Sequence, residues 1–128
     1  MIVFDASVLI AYLDGNDVLH HAAETLLAAA IDDDFGANVL TLAEVLVVPV
    51  RAGQVEVVQA ALHEVEMKEL PFPPDTAVRL ARLRVDTGLK MPDCCVQLAA
   101  EDSHASVATF DDRLVRAAEG RNLAVVRR

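Results

Sequence analysis

The sequence predicts an α/β domain on a mostly parallel sheet of about five strands, and three observations carry that expectation. The chain opens on the run Ile2-Val3-Phe4, with no polar residue alternating inside it, as in a strand buried on both faces. Short apolar runs then alternate with longer stretches of helical periodicity along the chain. No linker, internal repeat or low-complexity segment breaks the alternation, so residues 1–128 are expected to form a single domain.

The first strand ends at Asp5, and a helical pattern follows at once through Val8, Leu9, Ala11 and Tyr12. Asp5 therefore stands at the carboxyl end of a strand, on the edge where open α/β sheets bind their ligands. Asp14-Gly15-Asn16-Asp17 is a turn cluster, and residues 18–31 show one apolar face of Leu19, Ala22, Ala23, Leu26, Leu27 and Ala30. His20 and His21 are read as solvated, because helix neighbours point about 100° apart and make a poor pair of metal ligands. Asp32-Asp33-Asp34 ends that helix as a solvated loop.

A second strand is expected over Ala37–Thr41. Thr41 and Glu44 then have capping-box spacing, which on its own gives Glu44 a structural role at a helix start. That helix runs through Val45–Val48 to Pro49, where it should kink or end. Ala52-Gly53 marks a break, and a further helix covers about 54–66, with His63 beside its polar face. Glu69–Phe72 is an edge-strand candidate that tolerates its proline. A helix from Pro73-Pro74-Asp75 to about Asp86 is closed by Gly88, with Val78, Leu80, Ala81 and Leu83 expected on its buried side. Arg79 and Arg82 share its other face, either solvated or in contact with phosphate. Pro92 suits the start of the next helix, which puts Asp93 in its first turn, a position the helix dipole favours. Ala105–Phe110 reads as another buried strand, Asp111-Asp112 opens a helix, and Asn122–Val126 is the last strand.

Hydrophobic residues make up 54% of the chain, above the usual ~45–50%. The excess is Ala, Val and Leu. The Val-rich stretch from Val45 to Val58 is expected to offer a surface to another chain, a second copy first of all. No apolar run approaches the ~18 residues of a membrane span, and no basic region precedes the first apolar stretch, so a cytoplasmic protein without a signal peptide is expected. The adjacent Cys94-Cys95 fits neither a disulfide framework nor a zinc site, and both are expected to be small buried residues. The net charge of −9 is uneven: residues 1–67 carry eleven acids against the single base Arg51, while 68–128 carry ten bases against nine acids. Nucleic-acid binders are usually basic, so this chain would need a local patch and the help of metal ions.

Four acids share one description. Asp5 and Asp111 follow directly on apolar strands, Glu44 lies one turn past a strand, and Asp93 lies in the first turn of a helix. In a parallel sheet strand ends and helix starts share an edge, so the four can converge. Converging carboxylates repel unless a cation sits among them, and an all-oxygen set suits Mg²⁺ or Mn²⁺. Such ions activate water and neutralise charge developing on phosphoryl oxygens. The hydroxyls of Ser7 and Thr109 stand where they can orient the acids.

With these residues in view, the chain resembles a PIN-domain protein, and closely a VapC-type toxin ribonuclease of a bacterial toxin–antitoxin pair. The matching stretches are Val3-Phe4-Asp5-Ala6-Ser7-Val8-Leu9, Thr41-Leu42-Ala43-Glu44-Val45, Pro92-Asp93 with the small-residue helix after it, and Ala108-Thr109-Phe110-Asp111. They span nearly the whole chain. The resemblance implies a three-layer α/β/α fold and a Mg²⁺- or Mn²⁺-dependent endoribonuclease with Asp5, Glu44, Asp93 and Asp111 as its catalytic, metal-holding acids. It further implies a homodimer and a cognate VapB-type antitoxin that reaches into the acidic pocket. Cys94-Cys95 departs from the Ala or aliphatic residues that relatives commonly carry there.

Other readings fit less well. A haloacid-dehalogenase-like phosphatase would need a second Asp where this chain has Ser7, and no Gly-rich phosphate fingerprint follows the first strand. The alternative from a different class is a catalytically silent PIN-like interaction module. The sequence names neither the RNA, nor the cut site, nor the antitoxin.

Overall fold

The computed structural model describes residues 1–126. In chain order its elements are β1 (Ile2–Phe4), α1 (Ala6–Leu13), α2 (His20–Ala29), β2 (Phe35–Asn38), α3 (Val39–Arg51), α4 (Val55–Glu64), β3 (Lys68–Leu70), α5 (Thr76–Thr87), α6 (Met91–Ser103), β4 (Ser106–Ala108), α7 (Asp112–Gly120) and β5 (Val125–Val126). The strands form one sheet in the order β3-β2-β1-β4-β5, and every pairing is parallel. The expected α/β architecture with its parallel sheet is thus the one observed.

The placement of the helices follows from this order and the rule that parallel crossovers are right-handed. The chain steps from β1 outward to β2 and β3, then returns to the other side of β1 for β4 and β5. Stepping in opposite directions puts the connecting helices on opposite faces. One core joins Ile2, Phe4 and Phe35 to α1, α2 and α3 through Val8, Leu9, Leu26, Leu27 and Val45. The other joins Val3 and Val107 to α5, α6 and α7 through Leu83, Val96, Leu98 and Leu114. Successive residues of β1 therefore feed opposite cores, as period-two geometry requires, and the result is three layers. Cys94 and Cys95 are unpaired and buried on α6, as expected. Among the described residues no helix is long and apolar enough to cross a membrane.

Several boundaries differ from the sequence reading. β2 begins at Phe35 and ends at Asn38, not over Ala37–Thr41. Gly36 belongs inside this strand because Leu70 of β3 packs over it: a Cβ there would lie 2.9 Å from Leu70 Cδ1. α3 starts earlier than expected because Asn38, not Thr41, is its cap. Asn38 Oδ1 accepts from the Thr41 backbone N–H at 2.9 Å, and Asn38 Nδ2 donates to Thr41 Oγ1 at 3.0 Å. Pro49 does not end α3, which continues to Arg51. β4 stops at Ala108, where Thr109 turns to side-chain bonding. β5 is shorter than expected because Asn122, at φ 63°, closes α7 in a left-handed conformation. On α5 only Leu83 is buried and Leu80 half-buried, while Val78 and Ala81 face out. His20 is half-buried rather than solvated, its Nδ1 2.8 Å from the Ala11 carbonyl, which ties α2 to α1.

Candidate functional site

The sheet reverses its direction of growth between β1 and β4, and a crevice opens there at the strands' carboxyl ends. Asp5 leaves β1 into that crevice. Its backbone is extended and its N–H donates to the Ala108 carbonyl at 2.9 Å, so the strand pairing fixes its position. Asp5 heads α1 yet its carboxylate makes no capping bond to that helix. Instead Oδ2 accepts from Ser7 Oγ and from Thr109 Oγ1, each at 2.8 Å. The same hydroxyls accept from the loop after β4: Ser7 Oγ from the Phe110 N–H at 3.3 Å, and Thr109 Oγ1 from the Asp111 N–H at 3.0 Å. Two hydroxyls therefore lock the ends of β1 and β4 together and hold a buried carboxylate by one oxygen. Oδ1 accepts no hydrogen bond among the described residues.

Asp111 caps α7 as the sequence suggested, its Oδ1 accepting from the Arg113 N–H at 2.8 Å. Asp112 is exposed, and the ion pair that four-residue spacing would allow between it and Arg116 does not form among the described residues.

Glu44 and Asp93 approach from helices. With Asn38 as the cap, Glu44 lies inside α3 and the capping-box reading of this residue is overturned; its carboxyl is raised above its usual value by partial burial, then by the charge of Asp5. Asp93 sits in the first turn of α6, behind Pro92. Its carboxyl is pushed up to about 6, by burial first and then by Asp5, Asp111 and Glu44, against the opposing charge of Lys90. The like-charge contributions come from the three other acids singled out by sequence, so each of the three lies within electrostatic reach of Asp93.

The donor set has the chemistry of a site for a hard divalent cation, since a cation would relieve the like-charge strain on Asp93. The side chains are not drawn into a finished coordination shell: among the described residues no three of His, Cys, Asp or Glu lie in a cluster ready to hold a metal ion. The basic side chains beside the acids were not singled out by sequence. Lys90 and Arg113 line a small cleft of about 140 Å³ with Gly88, Leu89, Asp93 and Asp111. The signal was there in sequence proximity, Lys90 three residues before Asp93 and Arg113 two after Asp111. Arg79, weighed above as a phosphate contact, is instead bound to Asp102 at 3.0 Å and Asp75 at 3.7 Å.

Comparison with known proteins gives the same picture of the fold. A sequence model of the PIN domain matches residues 2–120. None of the curated proteins matches the chain by sequence. Among solved structures, a toxin-antitoxin complex from Klebsiella pneumoniae is 23% identical, with 87% of each chain covered and a TM-score of 0.74. FitAcB from Neisseria gonorrhoeae is 20% identical at TM-score 0.75, covering 99% of this chain and 97% of that one. VapBC2 from Rickettsia felis, bound to a DNA fragment from its promoter, is 14% identical at TM-score 0.73, covering 98% and 97%.

Proposed function

The chain belongs to the PIN-domain family, and on that premise we propose that it is a VapC-type toxin, a metal-dependent endoribonuclease restrained by a cognate antitoxin. The observation that carries the reading is the setting of Asp93, whose carboxyl is raised first by burial and then by Asp5, Asp111 and Glu44. The likeness in fold to the toxin-antitoxin complex from Klebsiella pneumoniae supports the toxin and antitoxin part. In this reading Asp5, Glu44, Asp93 and Asp111 hold Mg²⁺ or Mn²⁺. Such an ion, when bound, would supply an activated water and would neutralise charge developing on the scissile phosphate.

The chain's own contribution is positioning. Ser7 and Thr109 occupy Asp5 Oδ2, so the carboxylate presents Oδ1 to the crevice in a fixed orientation. Asp111 is held the same way by its capping bond, with one oxygen committed to the Arg113 N–H. Glu44 and Asp93 accept no side-chain hydrogen bonds among the described residues and are free to close on the cation. The chain acts as a single PIN unit in the cytoplasm. It pairs as a homodimer through the exposed valines Val47, Val48, Val50 and Val57, and the antitoxin covers a further groove.

The test is to incubate the protein with structured RNA and sequence the ends produced. Cleavage with Mg²⁺ that stops with EDTA is the expected result. RNA left intact under every metal condition would leave only a silent interaction module. Sedimentation at micromolar concentration checks the dimer, and a clean monomer would remove it.

A further inference from the structure

Outside the four acids, one charged feature has no structural employment. Four of the nine cations in the described residues are engaged. Lys68 pairs with Asp34, Arg79 with Asp75 and Asp102, and Arg121 with Glu101 and Asp86. Arg84 Nη1 donates to the carbonyls of Gly88 at 3.0 Å and Leu89 at 2.6 Å. Among the described residues Arg51, Arg82, Lys90, Arg113 and Arg116 make no ion pair and no side-chain hydrogen bond.

Three of these five are gathered in one place. Lys90 and Arg113 line the cleft of about 140 Å³ that also holds Asp93 and Asp111. Arg113 and Arg116 line a second cleft of about 450 Å³, with Thr87, Gly88, Leu89 and Ala117. Gly88, Leu89 and Arg113 are common to both, so the two clefts adjoin and lead away from the acids. Their shared wall is the loop that Arg84 holds, and its guanidinium adds a further fixed positive charge there. Lys90 partly offsets the charge at Asp93, but Arg113 and Arg116 have no ion-pair partner among the described residues although the chain carries a net charge of −9. This arrangement suits a polyanion that passes along the clefts while one of its phosphates lies at the acids.

We infer that Lys90, Arg113 and Arg116 form a backbone track for single-stranded RNA, running from the Asp93–Asp111 cleft along the loop between α5 and α6 toward α7. The inference rests on the ribonuclease reading for the identity of the polyanion. Contacts of this kind bind phosphates irrespective of base and are lost with salt, with a slope of about 0.7 per phosphate on a single strand.

The probe is a fluorescein-labelled oligouridylate, titrated in EDTA so that it stays intact, at 50 and 200 mM salt. Lys90→Gln/Arg113→Gln/Arg116→Gln is compared with wild type and with Arg51→Gln/Arg82→Gln, which removes the other two unpaired cations. The triple variant is expected to lower the salt slope by about 2, so that its loss of affinity at 50 mM exceeds that at 200 mM roughly 20-fold. The double variant should bind like wild type. An unchanged slope in the triple variant, an equal loss in the double variant, or a wild type that does not bind overturns the track. Cleavage with Mg²⁺ is read separately. Binding that depends on the three cations without any cleavage would remove the ribonuclease reading and leave the track. Cleavage with no dependence of binding on the cations would do the reverse.

Discussion

The two halves of the acidic site are built differently. Asp5 and Asp111 come off adjacent parallel strands and are tied by hydrogen bonds: Asp5 by two hydroxyls, Asp111 by a helix N–H. Glu44 and Asp93 come off helices, accept no such bonds among the described residues, and have raised carboxyl pKa values. Hydrogen bonds to a carboxylate favour its charged form, while burial and neighbouring charge oppose it. The strand half is thus organised before any ligand arrives. The helix half is strained first by burial and then by neighbouring charge, a strain that a cation or a proton would relieve.

The strand half should carry the largest effects. Asp5→Asn is expected to abolish RNA cleavage and weaken the Mg²⁺-dependent rise in melting temperature, with circular dichroism unchanged. Asp111→Asn should lower the rate by orders of magnitude too. The substitution keeps an N-cap, so α7 is preserved and the loss reports on the charge. Asp112→Asn, at an exposed position one residue on, should cost little. A dead Asp112→Asn beside an active Asp111→Asn would invert the assignment.

Thr109→Val tests the lock itself. It removes the donor to Asp5 Oδ2 and the acceptor of the Asp111 N–H in one step. The buried residue keeps its shape but leaves its partners unsatisfied, at a cost of about 1–3 kcal/mol by chemical denaturation. Cleavage should fall as well, because Asp5 and Asp111 lose their common anchor. Full activity and stability in Thr109→Val would show that the strand half is not organised by this hydroxyl.

How much of this was legible in the sequence follows the same division. Asp5 and Asp111 follow apolar runs, and strand ends in a parallel sheet share an edge, so their placement was readable. The hydroxyls of Ser7 and Thr109 were readable for the same reason. Glu44 was ambiguous: Thr41–Glu44 spacing mimics a capping box, and only tertiary structure reveals that Asn38 has already taken the cap. Strand boundaries were displaced where local signals mislead. Gly36 looks like a loop residue until Leu70 is packed over it, and Asn122 looks like strand until its left-handed turn is seen. The outward face of α5 was misjudged because periodicity does not say which of two apolar flanks meets the core. The cations at Lys90, Arg113 and Arg116 carry no pattern of their own. They become conspicuous once the fold gathers them, unpaired, along two adjoining clefts beside the acids.

The helix half predicts the smallest and most conditional effect, a stability difference that changes with pH. The Asp93 carboxyl, ordinarily 3.8, is raised to about 6, first by burial and then by Asp5, Asp111 and Glu44. Its folded pKa lies above its unfolded one, so between the two values the native state binds more protons than the unfolded chain. Stability from this group is therefore present at low pH, falls as the pH rises through about 4 to about 6, and stays lower above that. Asp93→Asn removes the titration and keeps the shape. In EDTA the variant should melt with wild type at pH 4 and above it at pH 7.5. The side chain is partly open to solvent, which screens the penalty, so the difference should be only a few degrees, the scale of a ~1 kcal/mol change in a small domain. Saturating Mg²⁺ should cancel or reverse the order at pH 7.5, because wild type gains a ligand that the variant binds less well. A difference in melting temperature that is the same at both pH values would mean that burial and neighbouring charge do not raise the Asp93 carboxyl, and the contrast between the two halves would fail.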